Sequence, residues 1–155
     1  MNKKDLKARI VNFIPRKENI KINNKEINEL DFYELEEIMN DIFTQNLQKE
    51  FVEDFFQIYE KYPLEDNDYF WSMLHGIESI NLKIYGKALL NSIKRQPSFF
   101  VLLMINRMIN NKISDINGEN LMDIFNNIKN DEKIDVKLRN IAKDFFDHQN
   151  KKDNK

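Results

Sequence analysis

Apolar residues recur at three- and four-residue spacing through most of the chain, which predicts a protein built from helices. Leu6, Ile10 and Phe13 mark a first helix that stops before Pro15. Residues 16–30, with Asn23 and Asn24 at their centre, read as a loop with a short helix over Glu26 to Leu30, although Ile20-Lys21-Ile22 also fits a short strand. Asp31 followed by Glu34 resembles a capping box, and Leu35, Ile38, Met39, Ile42 and Phe43 then form a clear stripe. A third stripe runs through Leu47, Phe51, Phe55, Ile58, Tyr59 and Tyr62 and is closed by Pro63. Caps at Asp66 to Asp68 open a helix that buries Phe70, Met73, Leu74 and Ile77, and Asn81 separates it from one that buries Leu82, Tyr85, Leu89 and Ile93.

Pro97 suits the first turn of the next helix, where a missing N–H costs nothing. From Phe99 to Ile109 only Asn106 and Arg107 are polar, so this helix is expected at the centre of the molecule. Asn117-Gly118 marks a turn, and two amphipathic helices follow on Leu121, Ile124, Phe125 and Ile128 and on Leu138, Ile141 and Phe145. The pattern predicts an all-α single domain over residues 1–149, with about seven or eight helices, followed by a disordered polar tail over 150–155. Its architecture is a helical bundle or a short HEAT-like stack of helix pairs. The second form is suggested by Phe-Phe doublets starting at 55, 99 and 145.

Composition narrows the chemistry. A chain of 155 residues removes roughly 70% of its unfolded surface from water, enough for a core without staples. It has no cysteine, which excludes disulfides, thiolate metal sites and a Cys nucleophile, and three glycines leave little room for a phosphate-cradling loop. No signal peptide is legible, and the longest apolar run, Phe99 to Ile105, is far too short to span a bilayer. A cytoplasmic protein is expected, with no membrane contact.

The net charge of −2 hides a segregated pattern. Residues 1–25 carry eight bases and two acids, +6; residues 26–68 carry fourteen acids and two bases, −12; the remainder carries fourteen bases and ten acids, +4. A block of that acidity repels nucleic acid and anionic lipid and attracts a basic protein. Glu34, Glu37 and Asp41 are expected on the wet side of the second helix and Glu50, Glu53, Asp54 and Glu60 on that of the third, with Glu65, Asp66 and Asp68 continuing the face. Same-sign crowding costs stability, and a basic partner would relieve it.

Trp71, His75 and Glu78 share one helix face, and His-x-x-Glu offers two convergent metal ligands. A di-iron bundle needs a second such pair, and the other histidine is the distant His148. A buried polar cluster is the simpler reading, with Arg107 pairing Glu78 because a guanidinium in an apolar helix must be paired. No serine sits in a nucleophile elbow, and no spacing singles out a catalytic pair of carboxylates. No cofactor or metal is expected.

The order Trp71-x3-His75-x2-Glu78, Tyr85, Leu89-Leu90, Pro97-x-Phe99 and Arg107-Met108-Ile109-Asn110 resembles the bacterial polymorphic-toxin immunity proteins, notably the immunity protein 30 family, over roughly residues 68–111. Phe99 stands where that pattern would carry Trp. The resemblance implies a cytoplasmic, non-enzymatic inhibitor in a contact-dependent growth inhibition or related system. It would bind and neutralise the C-terminal domain of a cognate toxin by electrostatically complementary occlusion, a basic nuclease being one such target. It also implies that Trp71, His75, Glu78, Pro97, Arg107 and Asn110 are determinants of the fold, which leaves the acidic face as the recognition surface. A helical-repeat adaptor and a metal-dependent enzyme using His75 and Glu78 are the alternatives.

Overall fold

A computed structural model describes residues 1–153. The elements run α1 (Lys3–Val11), β1 (Arg16–Ile22), β2 (Lys25–Asp31), α2 (Tyr33–Thr44), a 3-10 turn (Gln48–Phe51) leading into α3 (Val52–Lys61), α4 (Asp68–Glu78), α5 (Leu82–Arg95), α6 (Phe99–Asn110), β3 (Asp115–Ile116), β4 (Glu119–Asn120), α7 (Leu121–Lys129) and α8 (Val136–Asp153). The protein is mostly helical, and the all-α expectation is corrected by two small antiparallel strand pairs, β1 with β2 and β3 with β4. The longer pair replaces the loop and short helix expected over residues 16–30, and the Ile20-Lys21-Ile22 stretch that fits a strand lies within β1. Asn23 and Asn24 both adopt positive φ, 53° and 64°, the type I′ geometry that joins two strands across two residues. Asn117 and Gly118 do the same between β3 and β4.

Short polar side chains start the helices by accepting from orphan backbone N–H groups: Asn2 from Asp5, Asn67 from Phe70, Asn81 from Lys83, Ser98 from Val101 and Asn120 from Asp123. Two boundaries differ from the sequence reading. Pro97 lies just outside α6, before the capping Ser98, and is buried. Asp31 ends β2, and its carboxylate accepts from the N–H of Tyr33 at 2.9 Å instead of forming a capping box with Glu34.

The core is aromatic at its centre. Phe100 on α6 stacks on Tyr59 of α3 at 5.2 Å and takes the edges of Phe70 and Trp71 at 5.6 and 5.4 Å. Phe100, Val101, Leu102, Met104, Ile105 and Met108 are buried, so α6 is the central helix its composition predicts. The Phe-Phe doublets fall in the middle of α3, at the first turn of α6 and near the middle of α8, so the three do not share one register. On α4, a Cβ at Gly76 would meet the Phe43 ring at 2.3 Å, so glycine is what lets α2 approach this closely.

The polar tail expected from residue 150 is instead the last turn of α8, helical to Asp153; residues 154 and 155 lie outside the described residues. Gln149 explains the extension. Its side chain is buried and donates to Asn106 Oδ1 at 2.7 Å and to Asn110 Oδ1 at 2.8 Å, and Lys152 Nζ reaches the same Asn110 oxygen at 3.0 Å. Two α6 residues that interrupt its apolar surface thereby tie down the C-terminal helix.

Tyr59 is fully buried and its hydroxyl donates to the Phe70 carbonyl at 2.8 Å. Burial, reinforced by the charge of Glu78, holds this hydroxyl well above the ordinary tyrosine value of 10.0. A proton held more tightly in the folded than in the unfolded chain contributes stability that is complete below about pH 10 and is lost as pH rises toward the folded value. Tyr59→Phe keeps the ring stack and removes the titration. The stability gap between wild type and this variant, read from urea midpoints, is therefore expected to narrow above pH 10. Parallel curves there would contradict the assignment.

Candidate functional site

The acidic block does not form one free face. Glu50 pairs with Lys3, and Lys7 donates to Asp54, which is 5% exposed and belongs to no surface. Glu60 is gripped by Arg95, whose Nε lies 2.8 Å from Oε1 and Nη2 2.9 Å from Oε2; Ser92 adds a hydroxyl bond at 2.9 Å, and Glu53 lies 3.3 Å from the same guanidinium. These contacts hold Arg95 firmly charged, its pKa raised chiefly by the Glu60 hydrogen bonds. Glu34 and Glu37 lie 3.6 and 3.7 Å from Arg9. The +6 and −12 segments therefore meet within the molecule, where α1 lies against α2 and reaches α3. Much of the crowding that seemed to require a partner is relieved in cis.

A smaller acidic surface lies around the base of the β1–β2 hairpin and the start of α2, where Glu34 and Glu37 make only the long contacts to Arg9, while Asp31, Glu36 and Asp68 make no ion pair among the described residues. Ile14, Arg16, Asp31, Tyr33, Glu34 and Glu37 line a shallow cavity of about 290 Å³. Ile14 is 74% exposed and Tyr33 55% exposed, both large apolar groups in water. Tyr69 adjoins them on α4. Its hydroxyl is raised above the ordinary value first by desolvation and then by the negative charges of Glu36, Asp31 and Asp68, with Tyr33 adding to them. Tyr69 therefore stands within reach of the negative charges of Glu36, Asp31 and Asp68. Of the expected binding residues, Glu34, Glu37 and Asp68 belong here, whereas Glu50, Glu53, Asp54 and Glu60 are held in internal pairs. Asp41 is half-buried on α2, Glu65 takes a weak bond from Asn67 at 3.4 Å, and exposed Asp66 accepts from Trp71 Nε1 at 2.9 Å.

Tyr33, Glu36, Tyr69 and Ile14 are not among the residues the sequence singles out, and Asp31 is expected only as a helix cap. The usable signal was Asn23-Asn24: once that pair is read as a type I′ turn, Arg16 falls opposite Asp31 and residues on either side of the hairpin come to its base.

The face of Trp71, His75 and Glu78 joins α4 to α6 through one ion pair. Glu78 takes a two-pronged contact from Arg107, Nε to Oε2 at 3.0 Å and Nη2 to Oε1 at 2.9 Å, as expected for a guanidinium on an apolar helix. The cluster is wetter than the buried reading required. His75 is 64% exposed, with Nδ1 4.0 Å from Glu78, and the two ends of the ion pair keep 24% and 39% of their side-chain exposure. Among the described residues no group of three His, Asp or Glu side chains gathers as a metal site would require. Glu78→Ala should cost about 1–2 kcal/mol, less than the roughly 3–5 of a fully buried pair because water screens both ends. The expected reading is a melting temperature a few degrees lower. An unchanged melting temperature would show that the pair contributes nothing to the register of α4 on α6.

No helix among the described residues is long and apolar enough to cross a membrane. Compared with family models, with curated proteins and with solved structures, the chain matches none.

Proposed function

We propose that the protein is a stoichiometric binding protein that neutralises a cognate bacterial toxin domain of basic surface, acting in the cytoplasm by occupancy and without catalysis. The observation that carries this reading is the coincidence of uncancelled acids with exposed aromatic and aliphatic groups. Exposed Tyr33 and Ile14, with half-buried Tyr69 beside them, stand among Asp31, Glu36 and Asp68 at the hairpin base. Tyrosine beside charge is the composition of interaction hot spots, because a rigid ring buries much area at small entropic cost while its hydroxyl finds a polar partner. Acids around it raise the encounter rate of a basic domain and reject acidic competitors. A toxin that cleaves nucleic acid carries a basic cleft, and an inhibitor seated there would occupy the phosphate track.

Immunity complexes can be tight because a few desolvated anchors and close charge pairs act together. Co-expression with the toxin C-terminal domain encoded beside this chain should yield a one-to-one complex that protects the host and weakens as salt is raised. Failure of the two proteins to associate at low ionic strength would refute the reading.

A further inference from the structure

The β1–β2 hairpin stands apart from the rest of the fold. Every residue of its strands except Ile20 and Asp31 is exposed, and neither strand packs appreciably on another element. A two-stranded ribbon is marginal in water unless something covers it. Alternation places Ile20, Ile22 and Ile27 on one face, Ile20 directly opposite Ile27, with Ile22 half exposed and Ile27 38% exposed. On the same face Glu18 lies directly opposite Glu29, a like-charge pair that weakens the hairpin as it stands.

The edge of β2 is also open. A two-residue I′ turn makes Ile22 and Lys25 a hydrogen-bonded pair, and antiparallel alternation then turns the N–H and C=O groups of Glu26, Asn28 and Leu30 away from β1. We propose that a second copy of this chain covers that edge. Its β2 would run antiparallel to this one about a two-fold axis at Ile27, making one four-stranded sheet. In this register Ile27 meets Ile27 of the second copy. Lys25 faces Glu29 of the second copy, and the symmetry repeats that contact. The added lysine lies beside the Glu18–Glu29 repulsion and relieves it. The backbone groups of Asn28 pair with those of Glu26 of the second copy, both already turned outward.

The other edge is less suited to this role. A two-fold pairing of β1 centred on Asn19 sets Lys17 against Lys21 of the second copy, twice. Pairing β1 with β2 of a neighbour is heterologous and leaves a free edge at each end, so it grows without closing. The β2 pairing is isologous and closes at two. Of the proposed toxin-binding surface only Asp31 belongs to β2, at its last position and beyond the Lys25–Glu29 pairing. Tyr33, Tyr69, Glu36 and Asp68 lie outside the joined strands, so the pairing is tested independently of the toxin-binding reading.

Sedimentation equilibrium of the full chain over a series of concentrations tests the proposal. A reversible monomer–dimer equilibrium is expected. Lys25→Glu places like charges at two symmetric contacts and should raise the dimer Kd about tenfold. The double reversal K25E/E29K should restore it. Asn28→Pro should abolish the dimer and leave a folded monomer whose melting temperature no longer depends on concentration, because that N–H makes no bond within the hairpin. A chain that is monomeric at every concentration, one that grows beyond two, a dimer that N28P leaves intact, or a double reversal without recovery would each overturn the assignment.

Discussion

Phe100→Ala is expected to destabilise the protein by about 3–5 kcal/mol, the largest loss of any single truncation in the core. Phe100 is 1% exposed and is the point where α3, α4 and α6 meet: Tyr59 stacks on its face while Phe70, Trp71 and Phe99 take its edges. Alanine there removes the transfer free energy of a buried ring and opens a cavity against three helices. Those neighbours are rings in fixed packing, so the site collapses poorly and the cavity cost is felt in full. Each lost edge-to-face or stacked contact adds about 0.5–1.5 kcal/mol beyond area. A domain of this size has about 5–15 kcal/mol in total, so a substantial share is lost and the urea midpoint should fall sharply at unchanged slope. Phe99→Ala is the internal control. Its ring is only half-buried, and a distinctly smaller loss is expected. A Phe100→Ala midpoint within experimental error of the Phe99→Ala midpoint would show that this junction is not the centre of the core.

The helices were legible because burying one face imposes a three-to-four-residue period on the sequence, and every helix except the C-terminal extension of α8 could be located from it. The β1–β2 hairpin was legible only in Ile20-Lys21-Ile22, which fits a strand and lies in β1, for the converse reason. Neither of its faces is buried by the rest of the chain, so nothing forces a clean two-residue alternation, and only Ile20, Ile22 and Ile27 hint at one. The end of α8 was missed because Gln149, a polar residue at the edge of a polar stretch, is buried by bonds to Asn106 and Asn110 some forty residues away. Arg107 could be paired with Glu78 from sequence since a charge inside an apolar helix poses a question with few answers.

The acidic block posed a harder question. Its charge was evident, but whether its cations lay within the chain or on a partner depended on α1 coming to rest beside α2 and the start of α3. Lys7 meets Asp54 across 47 residues, and Arg95 meets Glu53 across 42. No local pattern encodes such pairs. The sequence therefore showed where the acidic charge is concentrated, but not which part of it the chain itself neutralises.

That distinction separates two sets of charge reversals that a sequence alone would treat as equivalent. Reversing Glu53 and Glu60 together to lysine confronts Arg95 with two further cations, one of them at a position only 13% exposed. The expected outcome is a loss of about 3–5 kcal/mol of stability, since a cation left in a largely dehydrated site has no partner. Molecules that remain folded should bind the cognate toxin domain with near wild-type affinity. Tyr33→Ala combined with Glu36→Lys and Asp68→Lys acts at the hairpin base, where the acids have no close internal partner among the described residues and the tyrosine ring is in water. Here the melting temperature should move little, while Kd rises at least about a hundredfold and the salt dependence of binding flattens. Calorimetric titration at two ionic strengths, with a thermal melt of each variant, reads both effects. The opposite pattern would transfer recognition back to the outer face of α3: binding lost by the first set in molecules that are still folded, and untouched by the second. It would require Arg95 to release Glu60 when the partner arrives.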